Sequence, residues 1–121
     1  MQIQFKGTNY ELTSDMTDLA TRKIQVLEKY TGKTGSEPMA YLDMGKRTEA
    51  HQNSDDLWYA DCNLDIEGKR YYAQADAPTL RSALDRMTAE LAKEVRRDHK
   101  RKHSLLRRGG ARVKEIFRFG T

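Results

Sequence analysis

The chain has 121 residues, a length that suits one domain and is too short for two ordinary ones. No apolar run approaches the ~20 residues that a transmembrane helix needs, and a single cysteine, Cys62, cannot form an internal disulfide. We therefore expect neither a membrane protein nor a disulfide-stapled scaffold, and we expect the reducing cytoplasm as the compartment.

The net charge of +4 is unevenly distributed along the chain. Residues 93–121 contain eleven Lys and Arg but only three Asp and Glu, a net charge of +8, which leaves −4 for residues 1–92. A basic end on an acidic body indicates a polyanionic partner, most often nucleic acid. A solubilising end that binds nothing specific is the alternative.

The first elements in chain order are a strand and a helix. Ile3 and Phe5 alternate with polar neighbours, which predicts a strand over residues 1–6. Thr13 can cap the helix that follows. Apolar residues at steps of three and four predict that this helix extends to Tyr30, with the stripe Met16, Leu19, Ala20, Ile24, Leu27 and Tyr30.

Three antiparallel strands are predicted next, over residues 39–47, 57–66 and 69–75, with a polar loop over 48–56. The turn Glu67-Gly68 joins the last two strands. The apolar residues of 57–66 share one face, whereas its aspartates share the other, so that other face should meet water and be comparatively acidic. No pair of aromatic residues of the type that stacks RNA bases on a sheet is evident.

The last helix is predicted to open at Asp76, which can cap it, with Pro78 in its first turn. Apolar residues at helical spacing continue from Leu80 to Val95 and then stop. The cationic residues that follow should therefore project from the body into solvent.

The glycine pair Gly109-Gly110 is predicted to break the helix. We therefore divide the chain into a domain over residues 1–103 and a basic, flexible C-terminal tail over residues 104–121. The element order βαβββα predicts an α+β fold: a two-layer sandwich in which both helices pack on one face of a four-stranded mixed sheet.

Catalytic and metal-binding patterns are not found in the sequence. Cys62 lies on the apolar face of a strand, where a thiol is usually inert. His99 and His103 have a spacing that can bind zinc, but Lys100 stands where a zinc protease has glutamate, and the surrounding cations would repel the metal. We expect no enzyme activity, no metal, no cofactor and no small-molecule substrate.

Basic residues on the two helices are the candidate binding site. If the helices pack side by side, their outer faces form one basic ridge that can bind phosphates. Double-stranded RNA suits such a surface because it is recognised by shape, although charge alone does not exclude DNA. The candidate residues are Arg22, Lys23, Lys29, Arg86, Lys93, Arg96, Arg97, Lys100 and Arg101.

The tail interleaves basic and aromatic residues, which suggests a weaker contact with ribonucleic acid in which Phe117 or Phe119 stacks on a base. The basic residues concerned are Arg107, Arg108, Arg112, Lys114 and Arg118. Disorder, or a short element that docks on the body, is the alternative.

The chain resembles the bacterial ribosome hibernation promoting factor and ribosome-associated translation inhibitor family over about residues 1–103. Three stretches carry the likeness: Met1-Gln2-Ile3 with Gly7-Thr8-Asn9 and Glu11-Leu12-Thr13; Lys23-Ile24 with Leu27-Glu28-Lys29-Tyr30; and Ala73-Gln74-Ala75 with Leu80 and Ser82-Ala83-Leu84-Asp85. No single motif is diagnostic, but order, spacing and charge agree.

The resemblance implies a fold related to double-stranded RNA-binding domains. It implies binding between the head and body of the small ribosomal subunit, on its ribosomal RNA, over the sites of messenger RNA and of aminoacyl and peptidyl transfer RNA. Translation would be inhibited and idle ribosomes protected. The family's basic helix residues fall on Lys23, Lys29, Lys93, Arg96, Arg97 and Lys100.

The sequence departs from the family at two positions: Arg81 stands where an aromatic is common, and Glu90 where a lysine is common. The residues after His103 are too few for the second domain of long family members, so ribosome pairing through that domain is not expected. We expect a monomer when the protein is free. A duplex RNA-binding module unrelated to the ribosome, and a protein-interaction or transcription-modulating domain, remain the alternatives.

Overall fold

Alternating apolar and polar residues build one four-stranded sheet, and two helices cover one of its faces, in the computed structural model of the chain. The structure describes residues 1–30, 37–47 and 57–119, and of residues 102–119 the backbone alone. The elements are β1 (Gln2–Thr8), α1 (Ser14–Gln25), a 3₁₀ helix (Val26–Tyr30), β2 (Met39–Lys46), β3 (Trp58–Ile66), β4 (Lys69–Ala77) and α2 (Leu80–Phe119). The predicted α+β class and element order are confirmed.

The strands lie side by side in sequence order, with β1 parallel to β2 and the other neighbours antiparallel. Ile66 at the end of β3 pairs with Lys69 at the start of β4, so the turn between these strands has two residues. Glu67 and Gly68 both have positive φ, 51° and 80°. Two such residues in succession give the primed turn whose twist matches that of the strands. The mixed sheet is therefore as predicted.

The core lies between the sheet and the helices. Every second residue of β2 and β3 points toward the helices, and α1 and α2 add apolar residues at helical spacing. Each large aliphatic side chain removed from water there contributes about 2 kcal/mol. The largest fully buried side chains are Ile24, Leu42, Met44, Leu64, Leu84, Met87, Leu91 and Cys62.

The first helix begins at the predicted cap. The Thr13 Oγ1 accepts a hydrogen bond from the backbone N–H of Met16 at 3.3 Å. The α-helix ends at Gln25 rather than at Tyr30, and the chain continues to Tyr30 as a 3₁₀ helix that still buries Leu27. Tighter 3₁₀ turns are common at the ends of α-helices.

The start of α2 differs from the prediction. Asp76 belongs to β4, and its carboxylate accepts two hydrogen bonds from Arg47, at 2.8 and 3.2 Å. Thr79 caps the helix instead: its Oγ1 accepts from the N–H of Ser82 at 3.1 Å. The predicted cap at Asp76 is wrong because Arg47 engages that carboxylate, and Pro78 consequently lies before the helix.

The glycine pair does not end α2. The helix continues through Gly109 and Gly110 to Phe119, where the sequence predicted a break. Glycine lowers helix stability by about 1 kcal/mol per residue but does not remove a backbone hydrogen bond, so a helix can pass through it. The predicted loop 48–56 lies outside the described residues, and the division of the chain at residue 103 stays a prediction.

Candidate nucleic-acid interface

Apolar residues fix how α2 is rotated about its own axis. Leu84, Met87 and Leu91 are fully buried against the sheet, and Val95 is the last residue of this stripe among the side chains described. The exposed surface of the helix is therefore left to residues at the other helical positions. These include all six of the helix's candidate cations: Arg86, Lys93, Arg96, Arg97, Lys100 and Arg101.

Polar contacts hold α2 where the apolar stripe stops. The Asp98 carboxylate accepts a hydrogen bond of 2.5 Å from the Tyr71 hydroxyl. It also forms an ion pair with the Lys69 ammonium, at 2.7 Å. Burial and the bond to Asp98 raise the pKa of Tyr71, so the hydroxyl stays a donor at neutral pH. These bonds tie the cationic part of α2 to the start of β4.

Two of the three α1-side cations come next to α2. Lys23 forms an ion pair with Asp85 of α2, which neutralises much of its charge. The ring of Tyr30 packs edge-on against His99 of α2, with centroids 5.2 Å apart, and the Lys29 ammonium lies 5.2 Å from the centroid of that same ring. Lys29 is thus brought beside the projecting half of α2, as the predicted ridge requires.

Other predicted cations face the opposite flank of α2, toward β4. Arg86 donates to the carbonyl oxygen of Asp76 at 2.9 Å. Arg97 and Arg101 line an open groove of about 260 Å³ against the first residues of β4, where Arg97 also pairs with Glu94 at 2.8 Å. Of the nine candidates, Lys23 and Lys29 therefore lie on the α1 side of α2, and Arg86, Arg97 and Arg101 lie on its β4 side.

The groove includes two cations that are not among the nine predicted from the sequence, Lys69 and Arg70. Both belong to β4, next to the hairpin turn, and only the packing of α2 along β4 brings them to Arg101. Their proximity to Asp98 and Asp65 reduces their net charge, since each forms an ion pair with one of these carboxylates. In the sequence, the only indication of these two residues is that they form a basic pair directly after the predicted turn.

Several exposed cations have no acidic partner among the described side chains. Among the side chains of residues 1–30, 37–47 and 57–101, no carboxylate lies within 4 Å of the basic groups of Arg22, Lys29, Lys93, Arg96, Lys100 or Arg101. Such groups can neutralise phosphates and release bound counterions, which gives affinity without reading base sequence. The side chains of the candidate tail residues lie outside the described part of the chain.

Neither a reactive thiol nor a cluster of metal-binding side chains is found in the described residues. Burial raises the pKa of the Cys62 thiol to about 12, so the nucleophilic thiolate does not form at neutral pH. No three His, Cys, Asp or Glu side chains in the described ranges converge to hold a metal ion. None of the helices described there is both long and apolar enough to cross a membrane.

Comparison with known proteins identifies relatives of the chain. The family described as Sigma 54 modulation protein / S30EA ribosomal protein matches residues 3–103. A curated relative, the ribosome hibernation promoting factor of Klebsiella oxytoca, is 28% identical over 95 residues, which are 78% of this chain and 90% of the relative.

Two solved structures share the fold. The N-terminal domain of Protein Y from Thermus thermophilus has a TM-score of 0.66 and 23% identity, over 80% of this chain and 98% of that domain. A ribosomal subunit interface protein from Coxiella burnetii has a TM-score of 0.59 and 16% identity, over 80% of this chain and 96% of its own. At these identities the likeness establishes the fold alone.

Proposed function

Because the chain belongs to the Sigma 54 modulation protein / S30EA ribosomal protein family, we propose that it is a ribosome hibernation factor. It binds the small ribosomal subunit between head and body and occludes the positions of messenger RNA and of transfer RNA in the aminoacyl and peptidyl sites. Translation is thereby inhibited and idle ribosomes are protected, by occupancy and without turnover. The name of the Klebsiella relative supports the hibernation role.

The observation that carries the proposal is a set of cations on α2 that form no ion pair with any described carboxylate. Lys93, Arg96 and Lys100 are exposed, follow one another at steps of three and four, and have no acidic partner among the described side chains. Residues at these steps lie on one side of a helix, so the three form a continuous cationic strip. A strip of this kind can follow ribosomal RNA phosphates into the space between two subunit lobes.

Co-sedimentation with vacant small subunits, with and without messenger and transfer RNA, tests the proposal. Arg96→Gln/Lys100→Gln should weaken binding and reduce the magnitude of the log–log salt slope by about 1.5, since each neutralised phosphate contributes roughly 0.7 to 0.9 to that slope. The matched control is Lys6→Gln/Lys46→Gln, which removes the same charge from exposed lysines of the strands and should leave the slope unchanged.

Competition distinguishes this function from that of a general duplex RNA-binding module. Transfer RNA in the decoding sites should displace the protein from the small subunit. Binding that is indifferent to transfer RNA, and equal on arbitrary duplex RNA, would instead establish the general module. Equal salt slopes for the α2 variant and its control would remove α2 from the interface.

A further inference from the structure

The sheet face turned away from the helices carries exposed aromatic rings. The strand register aligns Tyr41 of β2, Asn63 of β3 and Tyr72 of β4 in one row across the sheet. Tyr41 is 39% exposed and Tyr72 50%, which makes them two of the three large hydrophobic residues exposed in the described part of the chain. The sequence shows no aromatic pair here because the row exists only once the register of the strands is fixed.

The neighbouring row of the same face holds two carboxylates. Asp43 of β2 lies directly opposite Asp61 of β3, and like charges in that position repel. Asp43 accepts hydrogen bonds from Thr8 at 3.0 Å and from Tyr59 at 3.1 Å. No described side chain donates a hydrogen bond to Asp61, and the cations that face it, Lys6 and Arg47, form no ion pair with it in that part of the chain.

The same face already binds one cation of its own chain. The Arg47 guanidinium lies 4.8 Å from the centroid of the Tyr59 ring and pairs with the Asp76 carboxylate at 2.8 Å. One aromatic ring and one carboxylate therefore suffice there to hold a guanidinium. Tyr41, Tyr72, Asp43 and Asp61 supply the same two kinds of group. The nearest cations of the described residues are Lys6, which lies opposite Asp43, and Arg47, and neither forms an ion pair with Asp43 or Asp61 in that part of the chain.

We propose that the open sheet face, centred on Tyr41, Asp43, Asp61 and Tyr72, is a docking surface for an extended lysine- or arginine-rich segment of a protein partner. The carboxylate pair accepts one or two of the partner's cationic groups, and the tyrosine rings cover their alkyl stems. The surface is independent of the cations on α2, and the proposal does not rest on the ribosomal role.

Charge complementarity selects this occupant over nucleic acid. Exposed rings on a sheet can also stack bases, but phosphates would have to approach Asp43 and Asp61, which repel them. Residues 93–121 carry a net charge of +8, whereas residues 1–92 carry −4, so a basic peptide would be repelled by the C-terminal part of the chain. Binding of such a peptide therefore has to be local to an acidic region.

Nuclear magnetic resonance titration of the full-length, ¹⁵N-labelled protein tests the proposal. The probe is a twelve-residue peptide of alternating arginine and serine, and the reference probe has citrulline in place of each arginine, which keeps the shape and removes the charge. We expect saturable shifts confined to the strands, largest at Asp43 and Asp61 and their row neighbours, for the arginine peptide alone.

Two matched variants locate the site. Asp43→Asn/Asp61→Asn should weaken the peptide about tenfold, since each exposed ion pair is worth up to roughly 1 kcal/mol. Asp18→Asn/Glu90→Gln makes the same change in net charge on exposed positions of the helical layer and should change the affinity less than twofold. Tyr41→Leu should weaken binding about threefold, because leucine has no ring to attract the cation.

Four results would overturn the proposal. These are no binding of the arginine peptide, shifts that map to the helices, equal loss of affinity in the two paired variants, and equal binding of the citrulline peptide. Single-stranded RNA that shifted the same strand resonances would assign the face to nucleic acid instead. Because none of these measurements uses ribosomes, failure here leaves the proposed function untouched.

Discussion

Asp61, on the open sheet face, is a single residue whose negative charge lowers the stability of the fold. Burial, followed by the charge of Asp43, raises the pKa of its carboxyl above the usual 3.8. Ionisation of a group whose pKa is raised on folding lowers stability. That loss is fully present above the raised pKa and disappears as the pH falls below 3.8.

Asp61→Asn is therefore expected to raise the free energy of unfolding at pH 7 by about 0.5 kcal/mol, the scale of a like-charge cross-strand pair at a partly exposed site. Near pH 3 the variant and the parent should be almost equally stable. Urea denaturation at the two pH values measures both effects.

Asp65→Asn is the matched control on the same strand. The hydrogen bond from Arg70 lowers the pKa of Asp65 below its ordinary value of 3.8. The ionised carboxylate therefore stabilises the fold above that pH, and this stabilisation is lost as the pH falls. The Asp65→Asn variant should therefore have a lower free energy of unfolding than the parent at pH 7. An Asp61→Asn variant that is also destabilised at pH 7 would show that the Asp61 carboxylate is held by Lys6 or Arg47.

Gly45 is required for the close approach of β1 to β2. It pairs with Thr8, and a Cβ at position 45 would overlap the carbonyl oxygen and carbon of Thr8. Backbone atoms cannot yield as a side chain can, so Gly45→Ala should destabilise the fold by about 2 to 3 kcal/mol, as overpacking does. A lower urea midpoint with an unchanged m-value would report this loss.

Gly68→Ala is the comparison for that experiment. Nothing lies within 4 Å of a Cβ at Gly68, but its φ of +80° is unfavourable for a side chain. The expected cost is about 1 kcal/mol, which is conformational strain alone. If Gly45→Ala cost no more than Gly68→Ala, the two strands would have enough freedom to move apart.

At the scale of elements, α2 combines a packed half and a half that carries charge. Val95 is the last buried residue among the α2 side chains described, which extend to Arg101, and the helix continues to Phe119. Residues 104–121 contain five Lys and Arg and one Glu, so their removal lowers the net charge from +4 to 0. We propose that this segment contributes to RNA affinity and not to the stability of the fold.

Deletion of residues 104–121 should change the free energy of unfolding by less than about 0.5 kcal/mol, because the apolar stripe that the sequence predicts for this helix stops at Val95. It should weaken ribosome binding and reduce the salt slope by roughly 0.7 to 0.9 for each phosphate that the segment neutralises. Unchanged affinity at every salt concentration would exclude the segment from the interface.

A full-length variant in which Arg107, Arg108, Arg112, Lys114 and Arg118 are all glutamine keeps the length of the segment and removes its positive charge. If the contact is electrostatic, this variant should match the deletion. If the aromatic residues stack on bases, part of the affinity should remain.

The sequence predicted the elements well where a local pattern decides them. The Thr13 cap and the β3–β4 hairpin depend on neighbours a few residues away, and both are as predicted. The start of α2 was misplaced because Asp76 is engaged by Arg47, 29 positions earlier. The end of α2 was misplaced because glycine weakens a helix without removing its hydrogen bonds.

At the scale of the whole molecule, charge is divided between the two layers. The helical layer carries the cations of α2 that have no acidic partner in the described part of the chain, and the open sheet face carries the Asp43–Asp61 pair. The resemblance to the hibernation factor family, drawn from three short stretches, is confirmed by a match over residues 3–103. The residues that contact the ribosome stay a prediction.

Composition and helical spacing identified candidate cations, but they could not identify which of these charges are already neutralised. Lys23 pairs with Asp85, and Lys69 joins the groove beside Arg101, only through packing between distant parts of the chain. The row of Tyr41 and Tyr72 likewise depends on the register of three strands. Tertiary contacts of this kind have no signature in a single sequence.

The parallel pairing of β1 with β2 has a consequence for the order of folding. The β3–β4 hairpin closes through a two-residue turn and can form within about 10 μs. β1 reaches β2 only after the whole chain between Thr8 and Met39 has closed into a loop, and its apolar residues Ile3 and Phe5 are only half-buried. We therefore expect β1 to join the sheet late and to detach before the other strands, so that local opening at this edge uncovers β2 while the hairpin and α2 remain folded.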